Sequence, residues 1–308
     1  MIFNRAHSIG FCSPLLLFFT LFSAQLSEPV QAEEKLPTKA VEEFVTVLQQ
    51  IKRNYVFQQS DEALIESSIR GMVSSLDPFS RYLNAEELAQ FQNASNTSTG
   101  QAAWSVTELD NGYVVLDIDF FQLGIADVIA SELGKVTPLQ GLAIDLRQNG
   151  GGFVDSAVAV ADLFLNNKLV VDARGRSAEA NRNLSTSAKT PFGTVPMVIV
   201  VDSNTASAAE IFSAALQDHD RAVIIGESTY GKGTVQSLIY TNFGAIQITT
   251  SMNYRPSGSA IQGEGVVPDF NLSDTSEVQR FISSSEWYEQ LYHVIVEPKN
   301  SVNKATKP

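Results

Sequence analysis

Apolar positions in the first third of the chain recur at helical spacing. From Thr38 to Phe57 they fall on one stripe, which predicts an amphipathic helix. Asp61 can cap a second helix. This helix is predicted to end at Leu76–Phe79, because the residue before a proline disfavours helical geometry. Asn84–Glu87 opens a short third helix. The pattern therefore predicts a helical region over residues 33–95 that packs as a cap on the main domain.

The second part of the chain alternates short apolar runs with helical patterns. A glycine turn, Gly150-Gly151-Gly152, follows one run, and Asp155 can cap the helix after it. Strand–turn–helix units of this kind predict an α/β core, here over residues 96–275. The predicted strands are Ala103–Leu109, Tyr113–Phe120, Leu142–Leu146, Met197–Val201 and Ala222–Ile225, and the predicted helices are Ile125–Leu133, one through Val158, Ala161 and Leu165, and one through Ala206–Leu216.

The last third begins with a β-hairpin pattern. Apolar residues alternate on both sides of the Asn242-Phe243-Gly244 turn. Residues 166–193 read as strand and exposed loop. Ser276–Val294 reads as a terminal helix and Glu297–Pro308 as a polar tail, so residues 276–308 form a separate C-terminal segment.

The N-terminus is predicted to be a signal peptide over residues 1–32. Arg5 supplies a positive start, Leu15–Phe22 an apolar core, and Val30-Gln31-Ala32 a cleavage site. The core is too short for a stable membrane anchor, although an uncleaved N-terminal anchor is the alternative. We therefore expect export, most simply to a bacterial periplasm.

Composition narrows the function further. A net charge of −13 argues against nucleic acid or an anionic membrane as a partner. Cys12, the only cysteine, lies in the signal region, which excludes disulfides and thiol chemistry from the mature chain. Neither a His-Glu-x-x-His motif nor a cysteine cluster is present, so no metal and no cofactor are predicted.

Ser207 is the candidate nucleophile. It lies at a strand-to-helix turn, where free amides of the helix start, beginning with Ala208, could stabilise an oxyanion. A serine attacks only when a neighbouring base removes its proton. The alternative is a capping box, in which Ser207 and Glu210 serve only the helix backbone.

Lys232 is the candidate base. Gly231 and Gly233 flank it and would let the backbone bend toward the helix start. Burial disfavours an ammonium, which makes a neutral lysine base possible. A solvated turn lysine is one alternative. A nucleotide-binding P-loop is another, but Gly233 occupies the position of its hydroxyl residue and a hairpin, not a helix, follows.

These runs together resemble the carboxyl-terminal processing peptidases, or tail-specific proteases, which use a serine–lysine dyad. The resemblance implies a crotonase/ClpP-like βαβ core in which Ser207 is the nucleophile, Lys232 the base and Gln236 the residue that orients the lysine. It also implies a second oxyanion donor at Gly151, with Gly152 less favoured. The matching runs are Ala206–Ile211, Ala215–Asp218, Arg221-Ala222, Ile225–Glu227, Tyr230–Gln236, Leu76–Leu83, Arg255–Gly263 and Gly265–Asp269.

The chain departs from the family at Ser259, where members usually carry Arg, and above all before the core. Most members carry a peptide-binding PDZ domain before the core, whereas Gln101–Asn111 holds only a short predicted strand and a turn. So few residues cannot form a domain. We therefore expect no PDZ domain and an adaptor protein in its place. In some members the N-terminal helices make oligomer contacts, which implies a homo-oligomer here.

The resulting prediction is an exported serine endopeptidase that cleaves protein or peptide substrates near their C-termini. A Ser–His–Asp triad through His219 is a weaker alternative, because no second element of such a triad is present. The competing class is a catalytically silent protein that keeps the peptidase fold for binding or regulation.

Overall fold

The computed structural model describes residues 36–97, 103–109 and 112–272. The chain divides into two compact units, residues 1–64 and residues 65–308. The predicted signal peptide, the terminal helix and the polar tail lie outside the described residues, and the predicted domain boundaries stay predictions. No helix within the described ranges is long and apolar enough to cross a membrane.

The helical start of the chain is confirmed with shifted ends. Helix α1 spans Thr38–Asn54 and stops before the predicted Phe57, and none of its residues is buried. Helix α2 spans Asp61–Ser74, and α3 spans Ala85–Thr97, longer than expected. Between α2 and α3 lies an unpredicted strand, β1 (Arg81–Asn84).

A six-stranded sheet carries the predicted α/β units. Its strand order is β11-β8-β7-β4-β3-β2, with β2 antiparallel and the other strands parallel. The bounds are β2 Trp104–Glu108, β3 Tyr113–Ile118, β4 Gly141–Asp145, β7 Met197–Val201, β8 Val223–Gly226 and β11 Phe270–Asn271. The helices between them are α4 Ile125–Leu133, α5 Val154–Asp162 and α6 Ala208–Asp218.

A second sheet, entirely antiparallel, holds the predicted hairpin. Strands β9 (Thr234–Thr241) and β10 (Gly244–Tyr254) pair with each other, and β10 also pairs with β1 and with β5 (Leu169–Gly175). Strand β6 (Arg182–Ser185) pairs with β5. Because β9 follows the candidate base directly, the structure lacks the helix that a P-loop requires there.

Two capping assignments are wrong. The cap of α2 is Ser60, whose Oγ accepts from the Ala63 amide at 3.1 Å, and Asp61 is the first residue of the helix. The N-cap of α5 is Phe153 rather than Asp155. Asp155 lies inside the first turn, where a carboxylate favours the positive helix end, and it pairs with Arg182 at 3.1 Å.

Helix α6 is the centre of the core. Every residue from Ala208 to Leu216 is buried, and Phe212 packs against Phe121 with ring centroids 5.5 Å apart. A helix that is buried on all sides lies in a protein interior, and the two polar side chains among these positions, Glu210 and Ser213, are hydrogen-bonded. The loops that follow β4, β7 and β8 leave the sheet at one edge, since carboxyl ends of parallel strands lie together. These loops carry the glycine turn, Ser207 and Lys232.

Candidate active site

Ser207 stands at the N-terminus of α6 in a strained backbone conformation. Its φ is 58° and its ψ is −117°, values that residues other than glycine rarely adopt. Such strain persists only where the surroundings enforce it, and it is typical of functional sites. Gly151 lies against this turn: a Cβ there would come within 2.8 Å of Ser207 Cβ. The glycine turn can therefore approach Ser207 only because it lacks a side chain.

The buried carboxylate of Glu210 joins the Ser207 turn to the Lys232 loop. Its Oε2 accepts from the amides of Ser207 (2.7 Å) and Lys232 (2.8 Å). Its Oε1 accepts from Thr229 Oγ1 (2.5 Å) and the Gly231 amide (2.6 Å). Both halves of the predicted capping box are thus present, because the Ser207 side chain also accepts from the Glu210 amide. The same carboxylate fixes the loop 21–22 residues further on, which the capping interpretation did not foresee.

Lys232 is half-buried beside an aromatic ring. Its Nζ lies 5.6 Å from the centroid of the Phe79 ring. Among the described residues no hydrogen bond joins Lys232 Nζ to Ser207 Oγ. The backbone therefore brings the two candidate residues to one site, and in this conformation the amine contacts Phe79.

Gln236 is the third residue of β9, the strand that begins two residues after Lys232. Its amide donates to Thr234 Oγ1 (2.9 Å) and to Thr249 Oγ1 (3.2 Å), its partner on β10. No hydrogen bond within the described ranges joins it to the Lys232 amine. The orienting role expected of Gln236 would need a rotation of one of the two side chains.

The turn of residues 77–80 contributes to the site and was missed as a site element. Asp77 accepts from the amides of Phe79 and Ser80 at 2.8 Å each, and from Ser80 Oγ at 2.8 Å. Ser80 Oγ in turn accepts from the Thr249 amide at 3.2 Å. Burial raises the pKa of Asp77, but the bonds from Ser80 and Phe79 outweigh it and hold this pKa below its ordinary value. The turn therefore ties Phe79 to the strand that Gln236 contacts.

Asn149 organises the glycine turn. Its buried side chain donates to the Ile118 carbonyl (2.7 Å) and accepts from the Gly151 amide (2.8 Å). Its own carbonyl accepts from the Ala206 amide at 2.9 Å, which ties the turn to the residue before Ser207. The Gly151 N–H, expected to be an oxyanion donor, is thus occupied by Asn149 in this conformation. Ala208 is buried at the first position of α6, where helix amides lack intrahelical partners.

His219 lies at the other end of α6 from Ser207. Its Nε2 is 2.7 Å from the Leu169 carbonyl. The rise over the twelve positions from Ser207 to His219 is about 18 Å of helix, so His219 cannot act as the base for Ser207. Nearby, Asp218 forms a partly buried ion pair with Arg255 at 2.7 Å. Burial raises the pKa of Asp218, but Arg255 and the Ser257 amide hold it below its ordinary value.

A group of charges lies at the end of β3 and β4. Asp145 pairs with Arg147 at 2.5 Å, and Asp117 is the neighbour of Asp145 across the strands. Burial, together with Asp145 and Asp119, raises the pKa of Asp117 to about 6. In the described part of the chain, no group of His, Cys, Asp and Glu is arranged to hold a metal ion.

Comparison with known proteins identifies the family. The model of peptidase family S41 matches residues 112–272, which include the glycine turn, Ser207 and Lys232. The chain belongs to peptidase family S41. A second model, the N-terminal domain of the activating protease CtpB, matches residues 21–87. The S41 assignment confirms the predicted enzyme class, a serine-type peptidase, and the recognised resemblance to carboxyl-terminal processing peptidases.

Curated relatives of this S41 chain carry names of the same kind. A carboxy-terminal-processing protease of Bartonella bacilliformis is 27% identical over 324 residues, covering 75% of this chain and 74% of the relative. A tail-specific protease of Haemophilus influenzae is 32% identical over 183 residues. That match covers 56% of this chain and only 26% of the Haemophilus protein.

Solved structures share the mixed α/β fold. The photosystem II D1 C-terminal processing protease gives a TM-score of 0.62 at 19% identity, covering 78% of this chain and 91% of that structure. A lipoprotein from Streptococcus agalactiae gives a TM-score of 0.52 at 16% identity, covering 80% and 97%. These likenesses concern the fold alone.

Proposed function

We propose that this S41 chain is an exported endopeptidase that cleaves proteins near their C-termini with Ser207 and Lys232 as its dyad. The observation that carries the proposal is the Glu210 carboxylate, which binds the amides of both residues. Two candidate groups distant in the sequence are fixed to one buried oxygen. A structural cap alone would not require the second set of bonds, to the loop of residues 229–232.

The reaction assigns a role to each side chain. Lys232 takes the proton of Ser207 as the hydroxyl attacks the peptide carbonyl, and it returns that proton to the leaving amine. The Ala208 amide stabilises the oxyanion, together with the glycine turn at Gly151. Since the Gly151 N–H donates to Asn149, the turn must shift when substrate binds, or the neighbouring Gly152 supplies the donor. Gln236 orients the amine as Lys232 turns toward Ser207 beside the Phe79 ring.

An exposed aromatic pair beside the glycine turn suits a polypeptide substrate. Phe120 and Phe153 are 40% and 50% exposed, and their rings meet edge to face with centroids 6.3 Å apart. Phe153 directly follows Gly152, and Phe121 pairs with Gly152 through the backbone. Apolar side chains of an unfolded chain would pack against this pair as the scissile bond reaches Ser207.

Substrate selection is proposed to depend on a partner. The described residues between α3 and β3 form a single strand, β2, so we propose that the chain acts without a PDZ domain and that an adaptor delivers substrates. Helix α1 leaves an apolar stripe exposed, with Val41 at 43% and Phe44 at 48%. This stripe supports the proposed homo-oligomer through the N-terminal helices.

A digestion experiment tests the function. Wild type, Ser207→Ala and the matched control Ser203→Ala, an exposed serine of the same loop, are incubated with casein. New C-termini are then mapped by mass spectrometry. We expect cleavage by wild type and Ser203→Ala, loss of at least about 100-fold for Ser207→Ala, and products shortened at their C-terminal ends. Equal turnover by all three proteins would remove Ser207 from its role.

One observation favours the competing function of a silent binding protein. The amine of Lys232 contacts Phe79 instead of Ser207 within the described residues. In the same digestion, no turnover by any protein together with tight casein binding would support that function. Activity that appears only after addition of a cell extract would support the adaptor.

A further inference from the structure

An open pocket lies at the end of α6 opposite Ser207, and the proposed function does not use it. Its volume is about 410 Å³. We call it the α6-end pocket. Its walls include Phe164, Leu165, Lys168, Thr190, His219 and Arg221. About 18 Å of helix separates it from the dyad, so it is a separate place for a ligand.

The α6-end pocket is lined by positive and neutral groups in a strongly acidic protein. Arg221, Lys168 and His219 contribute nitrogen atoms, and none of the lining residues is Asp or Glu. The chain as a whole carries a net charge of −13. A local excess of cations in such a chain is an electrostatic feature that favours an anion.

Arg221 is the main reason to expect a charged ligand. Its Nε donates to the Phe164 carbonyl (3.1 Å) and its Nη2 to the Phe192 carbonyl (2.7 Å). In the part of the chain that the structure describes, it forms no ion pair with a carboxylate. Because burial leaves its charge poorly solvated, the pKa of Arg221 is lowered to about 10. Buried charges in proteins are normally paired, so this guanidinium lacks its usual counter-ion.

A second polar group belongs to another residue of the pocket wall, Thr190. The Thr190 hydroxyl oxygen is buried and has no hydrogen-bond partner among the described residues. Buried hydroxyls without a partner are rare, and a bound water or ion usually explains one. His219 is held in place by the Leu169 carbonyl, so its ring is already oriented. Among the described residues, the pocket wall therefore holds a guanidinium without a carboxylate partner and a threonine whose hydroxyl has no hydrogen-bond partner.

The size and the lining residues of the pocket indicate what kind of molecule bears the anionic group. Its volume corresponds to about 14 water molecules, more than a single phosphate needs. Phe164 and Leu165 add apolar surface. We propose that the α6-end pocket binds the carboxylate or phosphate group of a small organic anion, with Arg221, Lys168 and Thr190 at the head group and Phe164 at the apolar part.

Binding of three probes to the full chain carrying Ser207→Ala tests this proposal without interference from catalysis. The probes are N-acetyl-leucine, its neutral isostere N-acetyl-leucinamide, and inorganic phosphate, titrated by calorimetry. We expect N-acetyl-leucine or phosphate to bind at least about tenfold more tightly than the amide, and to weaken as salt is added. The stronger of the two anions identifies the head group. Equal binding of acid and amide, or no binding of either anion, would overturn the proposal.

Two variants test whether the anion binds in the α6-end pocket. Thr190→Val keeps the shape but removes the hydroxyl, and we expect about tenfold weaker binding. Lys168→Ala removes an exposed charge and should cost about threefold. Arg221 is left in place because its bonds hold the backbone at Phe164 and Phe192. The control is Lys135→Ala, an exposed lysine that pairs with Glu132. Unchanged affinity in both pocket variants would place the anion elsewhere and contradict the assignment.

Discussion

The backbone amides of Ser207 and Lys232 donate to the same oxygen, Glu210 Oε2, at 2.7 and 2.8 Å. A carboxylate that is fully buried is stable only when donors surround it, and four donors do so here. The helix start and the lysine loop are thereby fixed relative to each other before any substrate arrives. Such preorganisation is what a nucleophile and its base require.

Glu210→Gln should therefore damage both stability and activity. An amide nitrogen would replace one oxygen and face donors that have lost their acceptor. We expect a loss of roughly 2–5 kcal/mol of unfolding free energy, measured as a lower urea midpoint, and casein cleavage at background. The control Glu264→Gln changes an exposed carboxylate and should match wild type. A Glu210→Gln protein with a wild-type midpoint would show that these bonds are not needed.

Gly151→Ala and Gly150→Ala form a matched pair in the glycine turn. Gly151 has φ of +111°, and a Cβ there would lie 2.8 Å from Ser207 Cβ, whereas one at Gly150 would meet nothing within 4 Å. We expect Gly151→Ala to lose at least about 100-fold in kcat/KM, and Gly150→Ala to stay within about 0.5 kcal/mol of wild-type stability. Equal activity of the two variants would show that the close approach to Ser207 does not matter.

Phe79 should assist Lys232 through its ring face. The amine becomes an ammonium as it accepts the serine proton, and an aromatic face stabilises a cation by about 0.5–1 kcal/mol. Phe79→Leu should therefore lower kcat about two- to fivefold with KM nearly unchanged, and Phe79→Tyr should restore kcat. Steady-state kinetics on a peptide substrate measures both. If the Tyr variant were as slow as the Leu variant, a purely structural role for the ring would follow.

The raised pKa of Asp117 predicts how the free energy of unfolding depends on pH. Because its pKa is raised from 3.8 to about 6 in the folded protein, the native state binds more protons than the unfolded chain between those values. Its contribution to stability therefore falls as pH rises from about 4 to about 6 and stays low above that range.

The variant Asp117→Asn should remove this penalty. After discounting for partial solvent exposure, we expect Asp117→Asn to be more stable than wild type by about 1 kcal/mol at pH 7–8. The difference should disappear near pH 4. Chemical unfolding of both proteins across this range measures it, and a difference independent of pH would show that Asp117 is ionised normally.

The sequence predicted the local parts of the site well. The turn before α6, the glycine-flanked Lys232 and the β9–β10 hairpin all follow from spacing and turn residues, because these features depend on neighbours in the chain. The contact between Phe79 and Lys232 could not be predicted, since periodicity shows which face of an element is apolar but not which element it meets. The sequence predicted Glu210 only as part of a helix cap. Its bonds to the Lys232 loop could not be predicted, because they depend on how that loop packs against α6.

The most direct test of the dyad is the rate at which a fluorophosphonate labels Ser207, followed by mass spectrometry of the modified peptide. A serine reacts with this probe only when a base activates it. We expect wild type and the exposed control Lys189→Met to be labelled at Ser207, and Lys232→Met to react at least about 100-fold more slowly. Labelling of Ser207 in Lys232→Met at the wild-type rate would contradict the assignment of Lys232 as its base.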